Sequence, residues 1–135
     1  MTDARLFAQP FTVERAASLA EDHDLAERVE AFIGRFGRLQ DTLADKLLPA
    51  LLAALKEPLG AQLDNLDRAE RLGLIESAEN WFAARQLRNR MIHEYIEDKS
   101  ILASALNAGH EFVVQLLDTE RRVSTELHRR GWIAG

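Results

Sequence analysis

Residues 85–95 read Arg-Gln-Leu-Arg-Asn-Arg-Met-Ile-His-Glu-Tyr and bring four kinds of reactive group into one short stretch. A guanidinium holds phosphate or carboxylate through a bidentate contact. An imidazole with an ordinary pKa near ~6.5 moves protons at neutral pH. An amide orients either group, and a phenol can carry a transferred one; Tyr95 is the only tyrosine in the chain. On an ideal helix, at about 100° per residue, Trp81, Ala84, Leu87, Met91, Ile92 and Tyr95 share an apolar arc, with Arg88 inside it. A guanidinium there must pair, reach an edge or line a cleft, because a buried unpaired charge is costly. Gln86, Asn89 and His93 share a different flank, where Asn89 and His93 stand one turn apart. Each residue alone also has a purely structural reading. An arginine stem can pack while its head stays in water, and a histidine can complement the dipole at a helix C-terminus.

The pattern Arg88-Asn89-x-x-x-His93-x-Tyr95 resembles the Arg-Asn-x-x-x-His-x-Tyr signature of the HEPN superfamily (higher eukaryotes and prokaryotes nucleotide-binding), and within it the HepT-like toxin branch. The match is complete over those eight positions; beyond them the likeness is one of helical layout only. The resemblance implies a metal-independent endoribonuclease that acts as a homodimer, with two copies of the motif facing across a cleft. Arg88 and His93 would be catalytic, and Asn89, Arg85 and Arg90 would support them and hold phosphate. RNA, transfer or messenger, would be the substrate. Tyr95 would be modified with AMP by a separate minimal nucleotidyltransferase serving as antitoxin. Such a bulky anionic group beside the site would block RNA by sterics and charge, as a phosphate would. Two other readings of the same residues stay open: a non-catalytic nucleotide- or partner-binding subunit of a minimal nucleotidyltransferase, and a dimer interface bonded through Arg88 and His93.

Composition removes other chemistries. The 135 residues contain no cysteine, which excludes disulfides, thiolate metal sites and cysteine nucleophiles. His23, His110 and His128 lack the spacing of a zinc or di-iron site, so no metal and no cofactor are expected. A net charge of −5 opposes wholesale phosphate binding, yet Arg85, Arg88 and Arg90 place three positive charges within six residues. Arg121, Arg122, Arg129 and Arg130 would extend that patch or be ordinary surface charges. Glu94, Glu97 and Asp98 would form a solvated helix end or help to dock the partner. The N-terminus lacks the pattern of a signal peptide. The apolar run 47–55 is far short of the ~20 residues that span a bilayer. A cytoplasmic protein with no membrane contact is expected.

These side chains need rigid elements to hold them, and the apolar spacing is helical almost throughout. A first short helix is expected over 11–22. A heptad-like stripe follows from Leu25 through Val29, Phe32, Phe36 and Leu39 to Leu43. It continues through Leu55, with a kink or break at Pro49 and an end at Pro58 and Gly60. Residues 64–72 form a short helix closed by Gly73. Ser77 caps the motif-bearing helix. Asp98 or Ser100 starts the last one, which Gly131 ends. Gly34 and Gly37 interrupt a helix, and close helix–helix approach is their expected reason. Trp81 and Phe82 are assigned to the core. The predicted fold is all-α: one domain, residues 1–135, a HEPN-like bundle of four to five helices.

Overall fold

The computed structural model describes residues 5–131 and contains helices, turns and no strand among them. The expected all-α class therefore holds. Thr12 accepts a hydrogen bond from the Arg15 N–H at 3.1 Å and opens α1, Val13–Ala17, which tightens into a 3₁₀ turn at Ser18–Ala20. The helix expected over 11–22 is thus shorter and split. Asp22 then caps α2, His23–Thr42, by accepting from the Leu25 N–H at 3.0 Å.

At Pro49 the helix neither breaks nor ends. It widens into a π turn over Leu43–Leu47, where the Leu48 N–H donates to the Leu43 carbonyl, and resumes as α3, Leu48–Ala54. Proline has no N–H to donate and its ring clashes with the carbonyl one turn back; a widened turn relieves that clash without a sharp break. The end of α3 comes before Pro58 and Gly60. Lys56 takes a left-handed φ of 60°, and the Glu57 N–H closes the turn on the Leu52 carbonyl at 2.9 Å.

The remaining caps follow the sequence closely. α4, Gln62–Arg71, is closed by Gly73 at φ 76°, with the Leu74 N–H donating to the Ala69 carbonyl. Ser77 accepts from the Asn80 N–H at 3.1 Å and opens α5, Ala78–Glu97. Asp98, rather than Ser100, caps α6, Lys99–Arg129, accepting from the N–H groups of Ser100 and Ile101. Gly131 at φ 85° follows α6.

The fold comprises two compact units, one of Met1–Arg38 with Ala84–Val113 and one of Leu39–Ala83 with Val114–Gly135. The first unit buries Phe32, Phe36, Met91, Leu102 and Leu106. Phe7 meets Phe32 edge-on, with ring centroids 4.9 Å apart, and stacks flat on His110 at 4.1 Å. Asn107 fastens the segment before α1 by accepting from the Phe11 N–H at 2.8 Å and donating to the Phe11 carbonyl at 2.9 Å. A β-carbon at Gly109 would lie 2.2 Å from Met91 Cε, so α6 and the Met91 side chain of α5 approach closely there.

The second unit buries Leu48, Leu51, Leu52, Leu66, Trp81, Leu116, Val123 and Leu127. Asn65 repeats the clamp made by Asn107, bonding both the N–H and the carbonyl of Gly60. Trp81 belongs to the core as expected, whereas Phe82 is 46% exposed. One residue further along α5 turns its side chain about 100° away from the buried face. No helix among the described residues is long and apolar enough to cross a membrane.

Candidate functional site

The motif lies on the part of α5 that belongs to the first unit. Six residues of that helix, Arg85, Gln86, Asn89, Ile92, His93 and Ile96, fall within an arc of about 120°, and all six are exposed. Ile92, placed by its spacing on the apolar arc, sits at the edge of that arc and is 55% exposed; Ile96 is 81% exposed. The buried centre is narrower than expected and consists of Ala84 and Met91, with Leu87 half-buried.

Asn89 and His93 share the open face, as their one-turn spacing implies. His93 is 71% exposed, and its Nε2 stands 3.4 Å from Glu94 Oε1. Arg88 is five residues earlier, about 140° around the helix. It is half-buried, and the base of its guanidinium lies so close to Gly37 of α2 that a β-carbon there would be 2.7 Å from Nε. Gly37 therefore makes room for the Arg88 side chain where α2 and α5 approach each other. Arg90 is exposed on the flank away from Arg88. One copy of α5 thus aims Asn89 and His93 in one direction and Arg88 in another.

Tyr95 stands two turns from Arg88 on the same flank and is half-buried. Burial and the Glu30 carboxylate hold its phenol above the ordinary value. The Lys99 ammonium donates to the Tyr95 carbonyl and lies 5.0 Å over the ring. Because Tyr95 is the only tyrosine, the ultraviolet difference absorbance that accompanies phenol ionisation reads this group alone. Glu30→Gln is expected to lower its titration midpoint while burial keeps it above that of a free tyrosine; an unchanged midpoint would show that Glu30 does not act on the phenol. The stability tied to this shift is present below the ordinary tyrosine pKa and is lost as pH rises through the raised one.

The charges around the motif have local duties. Glu94 meets His93, and Asp98 caps α6; Glu97 is exposed. Arg122 pairs with Asp118 at 3.2 Å, while Arg129 and Arg130 both bond Glu126, whose carboxyl they hold below its usual range. These three arginines are paired locally with two carboxylates of α6, Asp118 and Glu126. Among the described residues no cluster of three or more His, Asp or Glu side chains is arranged to hold a metal.

Sequence reasoning missed Glu30 and Lys99. Lys99 was within reach, since it follows Tyr95 by four residues. Glu30 lies far away in sequence and comes to Tyr95 only through tertiary packing. No protein-family model matches the chain, and no curated protein or solved structure matches it. The functional reading therefore rests on the motif and its geometry.

Proposed function

We propose that this chain is a homodimeric, metal-independent endoribonuclease with a HEPN-like fold, the toxin of a toxin–antitoxin pair. One observation carries the reading. All four residues of the Arg-Asn-x-x-x-His-x-Tyr pattern lie on one helix, with Asn89 and the His93 imidazole open to solvent and Arg88 half-buried against Gly37. In the proposed reaction His93 takes the proton from an RNA 2′-hydroxyl, whose oxygen attacks the adjacent phosphorus. Arg88 holds the non-bridging oxygens and stabilises their growing charge. The bond to the 5′ oxygen breaks, and that oxygen takes a proton from His93 of the second protomer. The products are a 2′,3′-cyclic phosphate and a 5′-hydroxyl. Asn89 orients the imidazole, while Arg85 and Arg90 draw the RNA backbone in despite the net negative charge.

The exposed Ile92 and Ile96 beside Asn89 and His93 support a seam between two copies at this face. Ile96→Glu is expected to shift the protein to monomer in size-exclusion chromatography with light scattering, and to abolish cleavage with it. A dimer unaffected by that change places the seam elsewhere.

Tyr95 is the proposed acceptor of AMP from a separate minimal nucleotidyltransferase. The phenol oxygen attacks the α-phosphorus of ATP, pyrophosphate leaves, and the partner's base receives the phenolic proton. The added phosphodiester brings negative charge and bulk onto the flank that carries Arg88. A cytoplasmic setting suits an enzyme acting on transfer or messenger RNA.

Paired induction of wild type and His93→Ala in bacteria tests the proposal. Growth arrest with fragmented RNA from wild type alone is the expected result. Unharmed cells with intact RNA in both cases would favour a binding subunit of a nucleotidyltransferase.

A further inference from the structure

Glycine inside a helix costs about 1 kcal/mol relative to alanine, so Gly37, buried in the interior of α2, calls for a reason. Its surroundings supply one. The three heavy atoms nearest to a β-carbon built on Gly37 all belong to Arg88: Nε at 2.7 Å, Cδ at 3.2 Å and Cζ at 3.2 Å. A distance of 2.7 Å is a collision. Nε and Cζ belong to the guanidinium and Cδ is the methylene that bears it, so swinging the two terminal nitrogens about the Cδ–Nε bond leaves Nε and Cδ in place, and the guanidinium as a whole would have to move. Gly34, the neighbouring glycine, is different. The atoms its β-carbon would meet belong to the head of Arg38, which is exposed and can swing away.

We infer that Gly37 is a positioning residue for Arg88. By carrying no side chain it leaves the space that the inner end of the guanidinium occupies, a shelf that fixes where the guanidinium meets a phosphate. The inference deepens the ribonuclease reading and rests on it for its functional half. Its structural half stands on the geometry alone. A bidentate guanidinium–phosphate contact is sensitive to small displacements, so a single methyl at position 37 disturbs the chemistry without touching substrate.

A double-mutant cycle joined to a cleavage assay separates the two halves. In the otherwise unchanged protein, Gly37→Ala is expected to lower Tm and to reduce RNA cleavage by at least about tenfold, the effect of misplacing an oriented group. In an Arg88→Ala background the same Gly37→Ala change is expected to raise Tm, because the collision is gone and alanine favours the helix. That reversal of sign is something a glycine unconnected with Arg88 would not give, and the loss of cleavage is the readout that making room alone would not move. Should Gly37→Ala alone fail to fold, the double variant is still expected to fold, and the coupling is read from it. Equal Tm shifts in the two backgrounds would overturn the inference. So would wild-type cleavage rates in Gly37→Ala when Arg88→Ala is inactive. Sign reversal together with no cleavage by wild type would leave the shelf in place and refute the ribonuclease reading.

Discussion

Replacing His93 by alanine is expected to slow RNA cleavage by about 10²–10⁴-fold, the usual contribution of a positioned general acid or base, with helicity, Tm and dimer size left as they are. The expectation of unchanged stability comes from the surroundings of His93. Its side chain is mostly in solvent, and its Nε2 stands 3.4 Å from the adjacent Glu94, whose own side chain is 13% exposed. A largely solvated imidazole contributes little to folding, so lost activity could not be blamed on a damaged fold. The same substitution separates the competing readings. If His93 and Arg88 only joined two protomers, His93→Ala would weaken the dimer and leave no reaction to lose. If the chain only bound a nucleotidyltransferase, wild type would show no cleavage at any concentration. Both results are read from one preparation by chromatography and an RNA gel.

The largest loss of stability is expected at Phe32. Its ring is 1% exposed, meets Phe7 edge-on at 4.9 Å and lies beside Phe36 at 6.1 Å. It also borders the tight spot at Gly109, where a β-carbon would be 3.7 Å from the ring. Phe32→Ala removes the aromatic contacts and leaves a cavity between α2, α6 and the segment before α1. A cost of about 3–5 kcal/mol is expected, measured by urea unfolding. A loss under about 1 kcal/mol, the scale of an ordinary surface substitution, would contradict the packing described for the first unit. Because α5 of that unit carries Arg88 and His93, activity should fall with the folded fraction and not ahead of it.

Much of the fold was legible from local chemistry. Ser77, Asp98, Gly73 and Gly131 mark helix ends through hydrogen bonds or backbone conformations that depend on a few neighbouring residues. The periodic leucines and phenylalanines of α2 and α6 identified most of their buried faces. Features set by packing were less legible. The left-handed turn ending α3 falls on Lys56, a residue with no preference for that conformation, while Pro58 and Gly60 lie beyond it. Pro49 announced a disturbance, yet whether a helix breaks or widens depends on the turn before it, and Leu43–Leu47 widened. Ile92 stands at the margin of a buried arc whose width sequence spacing leaves undetermined, and Phe82 lies outside that arc. At the candidate site, spacing alone placed Asn89 with His93. It also placed Arg88 off that face, but the reason Arg88 is tolerated there lies at Gly37, fifty-one residues earlier. Glu30 reaches Tyr95 in the same non-local way.

The central claim is metal-independent cleavage of RNA through Arg88 and His93. Its most direct test incubates purified wild type, Arg88→Ala and His93→Ala with RNA in excess EDTA and analyses the new ends. Wild type alone is expected to produce fragments ending in 2′,3′-cyclic phosphate and beginning with 5′-hydroxyl. Intact RNA with wild type, or the same fragments from His93→Ala, would contradict it.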